Sequence, residues 1–369
     1  MDTRITKFAK QLVNYSCEIK KDEDVLISVT GRSPIPLVKE IIREVYKVGG
    51  NPHIDIQEPT IIRELQLNCK DDQLKFMCDY ELYKMKGMDA YIGVRAYDNF
   101  SELSDVPVEK KIKYESALRK VLEERMSNSK WVGVRYPNNS MAQLASMSLE
   151  EFENFYFNVC NLDYSKLGEA MENMVELMKK TDKVKIVGKD TNLTFSIKGI
   201  PVVAGDGKQN IPDGEITTAP VADSVNGYIT YNVPSNYQGF TYEKVYFEFE
   251  NGKIVKAESN NTESLNKILD TDEGSRYIGE FAIGVNPYIT EPISDILFDE
   301  KITGSFHFTP GMYCPDTPNG NHSKTHWDLV CVQTKKYGGG EIYFDDVLIR
   351  KNGLFVLDEL KCLNPENLK

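Results

Sequence analysis

The chain has 369 residues, of which 41% are hydrophobic and 27% charged, and its formal net charge is −12. This composition is typical of a soluble globular protein, and the length predicts two domains. The acidic balance, without any basic run, disfavours nucleic acid or an anionic membrane surface as a partner. No apolar run approaches the roughly 20 residues that span a bilayer, and the N-terminal stretch lacks the apolar core of a signal peptide.

The seven cysteines are scattered, odd in number and form no Cys-x-x-Cys pair. This pattern is typical of free thiols in a reducing compartment rather than of a disulfide framework. We therefore expect a cytoplasmic protein.

The first half of the chain alternates between strand and helix patterns. Short apolar strand patterns occur at residues 24–29, 52–56, 89–96 and 130–137. Helical patterns flank them at residues 3–20, 34–48, 60–86 and 108–126. Short strands separated by helices predict βαβ units, and hence an α/β fold with a doubly wound, mostly parallel sheet that carries helices on both faces.

Such a fold invites a nucleotide-binding interpretation, but the phosphate-binding glycines are missing. The turn after the first strand reads VTGRSPIP instead of GxGxxG, and no GxxxxGK[ST] occurs in the chain. Because a fold alone does not establish a function, we interpret the first half as a scaffold. A nucleotide-binding module is the least favoured alternative.

A long helical stretch that begins at Ser148 connects the two halves, and we place the domain boundary at its end. This gives an α/β scaffold domain, residues 1–180, and a second domain, residues 181–369. In the second domain the pattern becomes alternating and punctuated by turns. ENGKI and RKNGLF each place Asn-Gly between strand patterns, which is the strongest short hairpin signal. We expect a β-rich α+β domain, largely antiparallel, with one helix near residues 261–271.

The window from Gly304 to Asp328 contains three of the four histidines of the chain, His307, His322 and His326. His326 and Asp328 are two residues apart, so on an extended strand both side chains would point to the same face. Neutral imidazole and carboxylate are the ligands that Zn²⁺ and similar ions prefer. The alternative is a chance cluster of histidines on a polar loop.

Two glutamates elsewhere in the second domain have unusual surroundings. Glu215 follows a tight Asp-Gly turn, and Glu280 lies between a glycine and the apolar run Phe281-Ala282-Ile283. A buried carboxylate is costly unless it is paired or bound. The alternatives are a surface hairpin for Glu215 and an edge strand for Glu280. The two glutamates and three of the window residues make five ligands, which are too many for one tetrahedral zinc but suit a two-metal site: Glu215, Glu280, His307, His326 and Asp328.

Four phrases of the second domain occur in a recognisable order: GEITTAPVADSVNG, IGEFAIGVN, LFDEKITGSFHFTPG and NGNHSKTHWD. Together they resemble the aminopeptidase T or thermophilic metallo-aminopeptidase family of bacteria. The resemblance covers nearly the whole chain and is most specific across residues 211–349. It implies a two-domain, dimeric, cytoplasmic metallopeptidase that removes N-terminal amino acids from peptides. It also implies a dinuclear site, activated by Zn²⁺, Co²⁺ or Mg²⁺, at which a metal-activated water is the attacking group.

The resemblance also implies roles for individual residues. Glu215 matches the first ligand glutamate of the family, and Glu280 matches the one that bridges the two ions. His307, His326 and Asp328 match the remaining ligands. A glutamate, either Glu280 or Glu300 of LFDEK, would carry the proton to the leaving amine. His322 and His53 have no counterpart in the family pattern.

One departure from the family pattern concerns catalysis. The family places a tyrosine seven residues after its first histidine, where the hydroxyl would hold a reaction intermediate. Here Cys314 stands at that position, and Tyr313 is one residue earlier. We favour the interpretation that the loop presents Tyr313 as a catalytic residue. If Cys314 faces the ions instead, its thiolate could bind metal, and the protein would be a catalytically impaired metal-binding relative.

The sequence leaves open the preferred N-terminal residue, the native metal and the physiological substrate.

Overall fold

The computed structural model describes residues 2–369 of the chain. The chain divides into two compact units, Met1–Asn161 with Gly207–Ile211, and Leu162–Asp206 with Pro212–Lys369. The boundary after Asn161 precedes the helix that ends at Lys180, whereas the boundary placed from the sequence follows that helix. Within the described range, no helix is both long enough and apolar enough to cross a membrane.

Strands and helices have the following bounds, in chain order. The strands are β1 (Asp24–Thr30), β2 (Asn51–Gln57), β3 (Ala90–Arg95), β4 (Lys130–Arg135), β5 (Lys183–Gly188), β6 (Thr191–Ser196), β7 (Val203–Gly205), β8 (Asn210–Ile211), β9 (Glu215–Thr218), β10 (Asn226–Thr230), β11 (Ser235–Tyr237), β12 (Phe240–Tyr242), β13 (Tyr246–Glu250), β14 (Lys253–Glu258), β15 (Ile278–Gly284), β16 (Ser305–Pro310), β17 (Val330–Val332), β18 (Gly340–Phe344), β19 (Val347–Lys351) and β20 (Leu354–Phe355). The helices are α1 (Thr3–Gln11), α2 (Ile35–Val48), α3 (Pro59–Asn68), α4 (Asp71–Lys86), α5 (Val108–Asn128), α6 (Asn139–Leu144), α7 (Leu149–Cys160), α8 (Tyr164–Lys180), α9 (Thr262–Leu269), α10 (Ile296–Asp299) and α11 (Pro365–Leu368).

The first unit is built on a parallel sheet with the strand order β2-β1-β3-β4-β8. Each strand in this sheet runs parallel to its neighbours. Strand β1 has a partner on both sides and is largely buried, whereas β2 lies at the edge and is mostly exposed. The α/β class with a parallel sheet, which the alternation of strands and helices predicts, is confirmed.

Two helices predicted from the sequence differ from the structure, one in where it ends and the other in being divided into two. The helix predicted over residues 3–20 consists of α1 followed by a π-helix, Leu12–Ser16, and the chain leaves the helical conformation at Glu18, where φ is +44°. The single stretch predicted from Ser148 to about residue 180 is interrupted between α7 and α8. There the Asp163 side chain accepts a hydrogen bond from the backbone N–H of Lys166 and begins a new helix.

The second unit contains two main sheets that face each other. The larger has the order β14-β13-β10-β6-β5-β18-β19-β20, and the smaller has the order β17-β16-β15-β9-β7. Phe195 on β6 packs against Phe281 on β15 and Phe308 on β16, with ring centroids 5.0 Å away in both cases. These aromatic contacts make the hydrophobic core between the two sheets.

Both hairpins predicted from Asn-Gly pairs are present. They connect β13 to β14 and β19 to β20. Asn251 and Gly252 have φ values of +48° and +85°, and Asn352 and Gly353 have +51° and +82°. Positive φ at both central residues is what a type I′ turn requires, so the local sequence explains these turns.

Candidate metal centre

Three strands of the smaller sheet bring the first part of the cluster together. Glu280 lies on β15, the central strand, where every residue is buried, so the edge-strand explanation for this glutamate does not hold. The register pairs Ala282 with His307 on one side and Gly284 with Glu215 on the other. Residues two and four apart on a strand share a face, so Glu280, His307 and Glu215 point to the same side of the sheet.

The imidazole of His307 lies between two carboxylates. Its Nε2 is 3.3 Å from Glu280 Oε1, and its Nδ1 is 3.8 Å from Glu215 Oε2. The His307 side chain is only 1% exposed. Each ring nitrogen of His307 therefore lies beside a carboxylate oxygen.

The segment after β16 supplies the rest of the cluster. His326 Nε2 lies 3.3 Å from Asp328 Oδ1 and 3.5 Å from Glu280 Oε2. Its other nitrogen, Nδ1, donates a hydrogen bond to the backbone carbonyl of Met312 at 2.8 Å, which leaves Nε2 free to act as a ligand. The Thr309 hydroxyl donates to Asp328 Oδ1 at 2.8 Å and orients that carboxylate. The structure thus brings all five predicted ligands into one cluster.

The cluster has the features that a divalent metal ion would satisfy. One ligand atom each from Glu280, His307 and Asp328 lie within 4.8 Å of one another. Two further buried atoms, Glu215 Oε2 and His307 Nδ1, have no hydrogen-bond partner within the described residues. Buried polar atoms are normally paired, so these two are explained by a cation bound between them. The residues present therefore fit a metal site.

The electrostatics of the cluster point to the same conclusion. Burial lowers the pKa of His307, but the hydrogen bond to Glu280 and the charge of Glu215 outweigh it and raise that pKa to about 10. His326 behaves alike, because burial lowers its pKa and Asp328 raises it, again to about 10. Burial raises the pKa of Asp328, but His326 and His307 bring it below its ordinary value. The carboxylates thus attract positive charge, which protons provide when no metal is bound.

Glu300 and Lys301 lie at the Glu215 side of the cluster. Lys301 Nζ is 3.3 Å from Glu215 Oε1 and also contacts Glu300 Oε1. Burial is the largest cause that raises the pKa of Glu300, and Lys301 opposes it. Lys301 is not among the residues predicted from the sequence, because a lysine directly after a glutamate is most often a solvated surface residue. No spacing in the sequence indicates that this one is buried.

In the loop after β16, Cys314 and Tyr313 point to different neighbours. The Cys314 thiol donates to Glu280 Oε2, with an Sγ–Oε2 distance of 3.1 Å. Burial and the charge of Glu280 raise the pKa of this thiol above its ordinary value. Tyr313 instead packs its ring against that of His322, with centroids 5.2 Å apart. The geometry therefore favours Cys314 over Tyr313 as the loop side chain that faces the cluster.

The two histidines without a family counterpart lie outside the cluster. His322 is exposed and contacts Tyr313. His53 is on β2 of the first unit, where its Nε2 pairs with Asp24 Oδ1 at 2.8 Å on an exposed surface. Neither lies in the group of carboxylates and imidazoles described above.

The fold and the cluster together are those expected of a metalloprotein, with a candidate centre on the inner strands of an antiparallel sheet. Residues 1–355 match the family model described as thermophilic metalloprotease (M29). The chain therefore belongs to the M29 family of metalloproteases.

Individual relatives agree with this assignment. The chain is 35% identical over 157 residues to aminopeptidase AmpS of Bacillus subtilis strain 168, a match that covers 38% of this chain and 37% of that protein. It is 35% identical over 104 residues to aminopeptidase T of Thermus aquaticus, which covers 27% of this chain and 26% of that protein. These matches thus span well under half of the relatives' length.

Among solved structures, wild-type AmpT from Thermus thermophilus has the same fold. The TM-score is 0.79 at 19% sequence identity, and the alignment covers 96% of this chain and 99% of that chain. The likeness extends over both units of the chain, so the two-unit fold is that of a known structure.

Proposed function

We propose that this protein is a metal-dependent aminopeptidase that hydrolyses N-terminal amino acids from peptides. The observation that carries the proposal is the buried group of Glu280, His307 and Asp328, beside two ligand atoms that have no hydrogen-bond partner among the described residues. Membership of the M29 family and the aminopeptidase names of the matched relatives support it.

The proposed centre holds two divalent ions, Zn²⁺ or Co²⁺, with Mg²⁺ as a further candidate. The two oxygens of Glu280 point to different histidines, Oε1 to His307 and Oε2 to His326. This is the arrangement expected of a bridging carboxylate. Glu215 would complete the shell on the His307 side, and Asp328 would complete it on the His326 side.

The residues of the chain have separate tasks in the proposed reaction. Bound divalent ions would act as Lewis acids that activate water and polarise the scissile carbonyl. Glu280 or Glu300 would take a proton from the attacking water and deliver it to the leaving amine. Burial raises the pKa of Glu300, and the neighbouring ammonium of Lys301 opposes that rise. A free α-amino group of the substrate would bind next to a carboxylate of the cluster.

We further propose a cytoplasmic homodimer. The seven free cysteines support a reducing compartment. Ile54 and Ile56 are exposed on the edge strand β2, and an exposed apolar edge is a common site of association between copies of a chain.

The aminopeptidase proposal is tested with the variant His326→Ala and the substrate leucyl-p-nitroanilide in the presence of Co²⁺. We expect hydrolysis to fall by roughly 10²-fold or more, because the variant lacks one ligand of the centre. His322→Ala is the matched control, since it removes a histidine of the same loop that lies outside the cluster, and it should keep its turnover. Undiminished hydrolysis by His326→Ala would contradict the mechanism.

A second candidate function is a metal-binding relative with impaired catalysis. It is favoured by the contact between Cys314 and Glu280, at a position where the family has a tyrosine. Metal analysis combined with an activity assay separates the two candidates. Bound metal without hydrolysis of any aminoacyl substrate would support the non-catalytic function, and metal-dependent hydrolysis would exclude it.

A further inference from the structure

Lys301 places a positive charge inside the proposed metal centre. Its side chain is only 1% exposed, and its Nζ lies between Glu215 Oε1, at 3.3 Å, and Glu300 Oε1. The two carboxylates are themselves largely buried. A lysine is almost never buried to this extent unless it is paired, so the two carboxylates and the ammonium must be treated as one unit.

The backbone around Lys301 is held in place by α10, by the segment that follows β15 and by the end of β15 itself. The Lys301 N–H donates to the carbonyl of Phe298, and its own carbonyl accepts from the N–H of Asn286 at 3.1 Å. The segment passes so close to β15 that a Cβ on Gly284 would lie 2.5 Å from the carbonyl oxygen of Ile302. This packing leaves little freedom in the backbone, so the lysine side chain is directed into the cluster by the fold.

The charge balance of the centre shows what Lys301 does there. The centre contains the carboxylates of Glu215, Glu280, Glu300 and Asp328. Among the described residues, the ion pairs of these carboxylates involve the two histidines and, as the one lysine or arginine, Lys301. Lys301 is on the Glu215 side, whereas Asp328 and His326 are on the other side of Glu280. The two halves of the centre therefore differ in the positive charge already present.

We infer that Lys301 is an internal counter-ion that competes with one of the two metal ions for the carboxylate of Glu215. The inference rests on the proposed dinuclear centre. The first ion would bind on the far side of Glu280, through Glu280, His326 and Asp328, which Lys301 does not touch. The second ion, on the His307 side, must share Glu215 with the ammonium, and two like charges a few ångströms apart repel each other strongly in a buried site.

This arrangement predicts two forms of the protein. In the one-ion form, Lys301 pairs with both Glu215 and Glu300 and keeps them from being buried without a partner. In the two-ion form, the second ion has displaced the ammonium from Glu215. The free concentration of the metal would then decide which form is present, and the two-ion form would be the active one.

The test measures metal binding rather than activity. Metal-free wild-type protein and the variants Lys301→Met and Lys301→Gln are titrated with Co²⁺ by calorimetry, and the bound metal is counted by elemental analysis. In the wild type we expect a second step at least about tenfold weaker than the first. In both variants the second step should tighten by at least about tenfold, while the first changes by less than about threefold. Lys335→Met, which removes an exposed lysine of the same unit, should leave both steps unchanged.

Lys301→Arg separates the effect of charge from that of packing, because it keeps the positive charge and should keep the weak second step. A variant that does not fold without metal is prepared with one equivalent of Co²⁺ and titrated from there. If no neutral variant folds, the wild type alone decides, since two steps of equal affinity would overturn the inference.

If Co²⁺ binds in the second step of Lys301→Met and Lys301→Gln as weakly as in the wild type, or more weakly, the inference about Lys301 is also overturned. A wild-type protein that binds no metal at all would instead overturn the proposed function, so the two failures can be distinguished.

Discussion

The chain contains histidine–carboxylate pairs in both of its units, and they differ in their surroundings. In the first unit His53 Nε2 and Asp24 Oδ1 are 2.8 Å apart, with 47% and 41% of the side chains exposed. In the second unit the corresponding distances between imidazole nitrogens and carboxylate oxygens are 3.3–3.8 Å, and His307 is 1% exposed. The shortest pair is therefore the one outside the cluster.

Burial explains why the longer pairs mark the centre. Water solvates both members of the exposed pair and screens their attraction, so such a pair contributes about 0–1 kcal/mol. In the cluster, His307 and Glu280 are largely buried, several carboxylates face the same two imidazoles, and two ligand atoms have no hydrogen-bond partner among the described residues. A short distance thus reflects a local pairing, whereas a buried surplus of negative charge indicates a cation site.

The largest difference between the two regions should appear when a carboxylate of each is neutralised. Glu280→Gln removes the carboxylate that faces both histidines, so we expect metal binding to fail and hydrolysis to fall by at least about 10³-fold. Asp24→Asn makes the same chemical change at the exposed pair and should leave metal binding and hydrolysis within about twofold of the wild type. Metal content and turnover of the two purified variants check the prediction, and equal effects would remove the distinction between the regions.

A smaller difference is expected in the pH dependence of stability without metal. The pKa of His307 is raised from its ordinary value of 6.5 to about 10 by Glu280 and Glu215, in spite of burial. Its protonated form therefore stabilises the metal-free fold fully below pH 6.5, and this contribution is lost as the pH rises through 10. We expect Tm to fall by roughly 5 °C between about pH 7 and about pH 10.

Two variants sharpen this measurement. His307→Gln should make the pH dependence of Tm over that range shallower, because one of the two histidines with a raised pKa is gone. His53→Ala should leave the slope as it is in the wild type. A slope that is the same in all three proteins would show that His307 is not the group responsible.

The smallest effect concerns the loop after β16. Because the Tyr313 ring packs against His322 and the Cys314 thiol contacts Glu280, we expect Tyr313→Phe to keep hydrolysis within about threefold. Cys314→Ser should instead change the relative activity with Zn²⁺ and Mg²⁺, since it replaces a soft donor by a hard one. A loss of more than about tenfold in Tyr313→Phe would support the prediction from the family pattern that Tyr313 is catalytic.

Much of the fold follows from local sequence. The strand patterns of the first half and the Asn-Gly turns with positive φ are features of residues close in the chain, and the alternation of strand and helix patterns is enough to predict the α/β class. The break between α7 and α8 was not predicted, because Asp163 occurs in a segment whose flanks are both strongly helical. A capping residue between two helical patterns is easily read as part of one helix.

The sequence by itself determined which residue types are available and which of them share a strand face, and this was enough to propose Glu215, Glu280, His307, His326 and Asp328 as one set. Only the tertiary structure decided that Lys301 is buried against Glu215 and that Cys314, rather than Tyr313, contacts Glu280. The physical reason is that these contacts depend on pairing between β9, β15 and β16 and on the path of the loops that follow. Such long-range pairings leave no mark on the local periodicity of the chain.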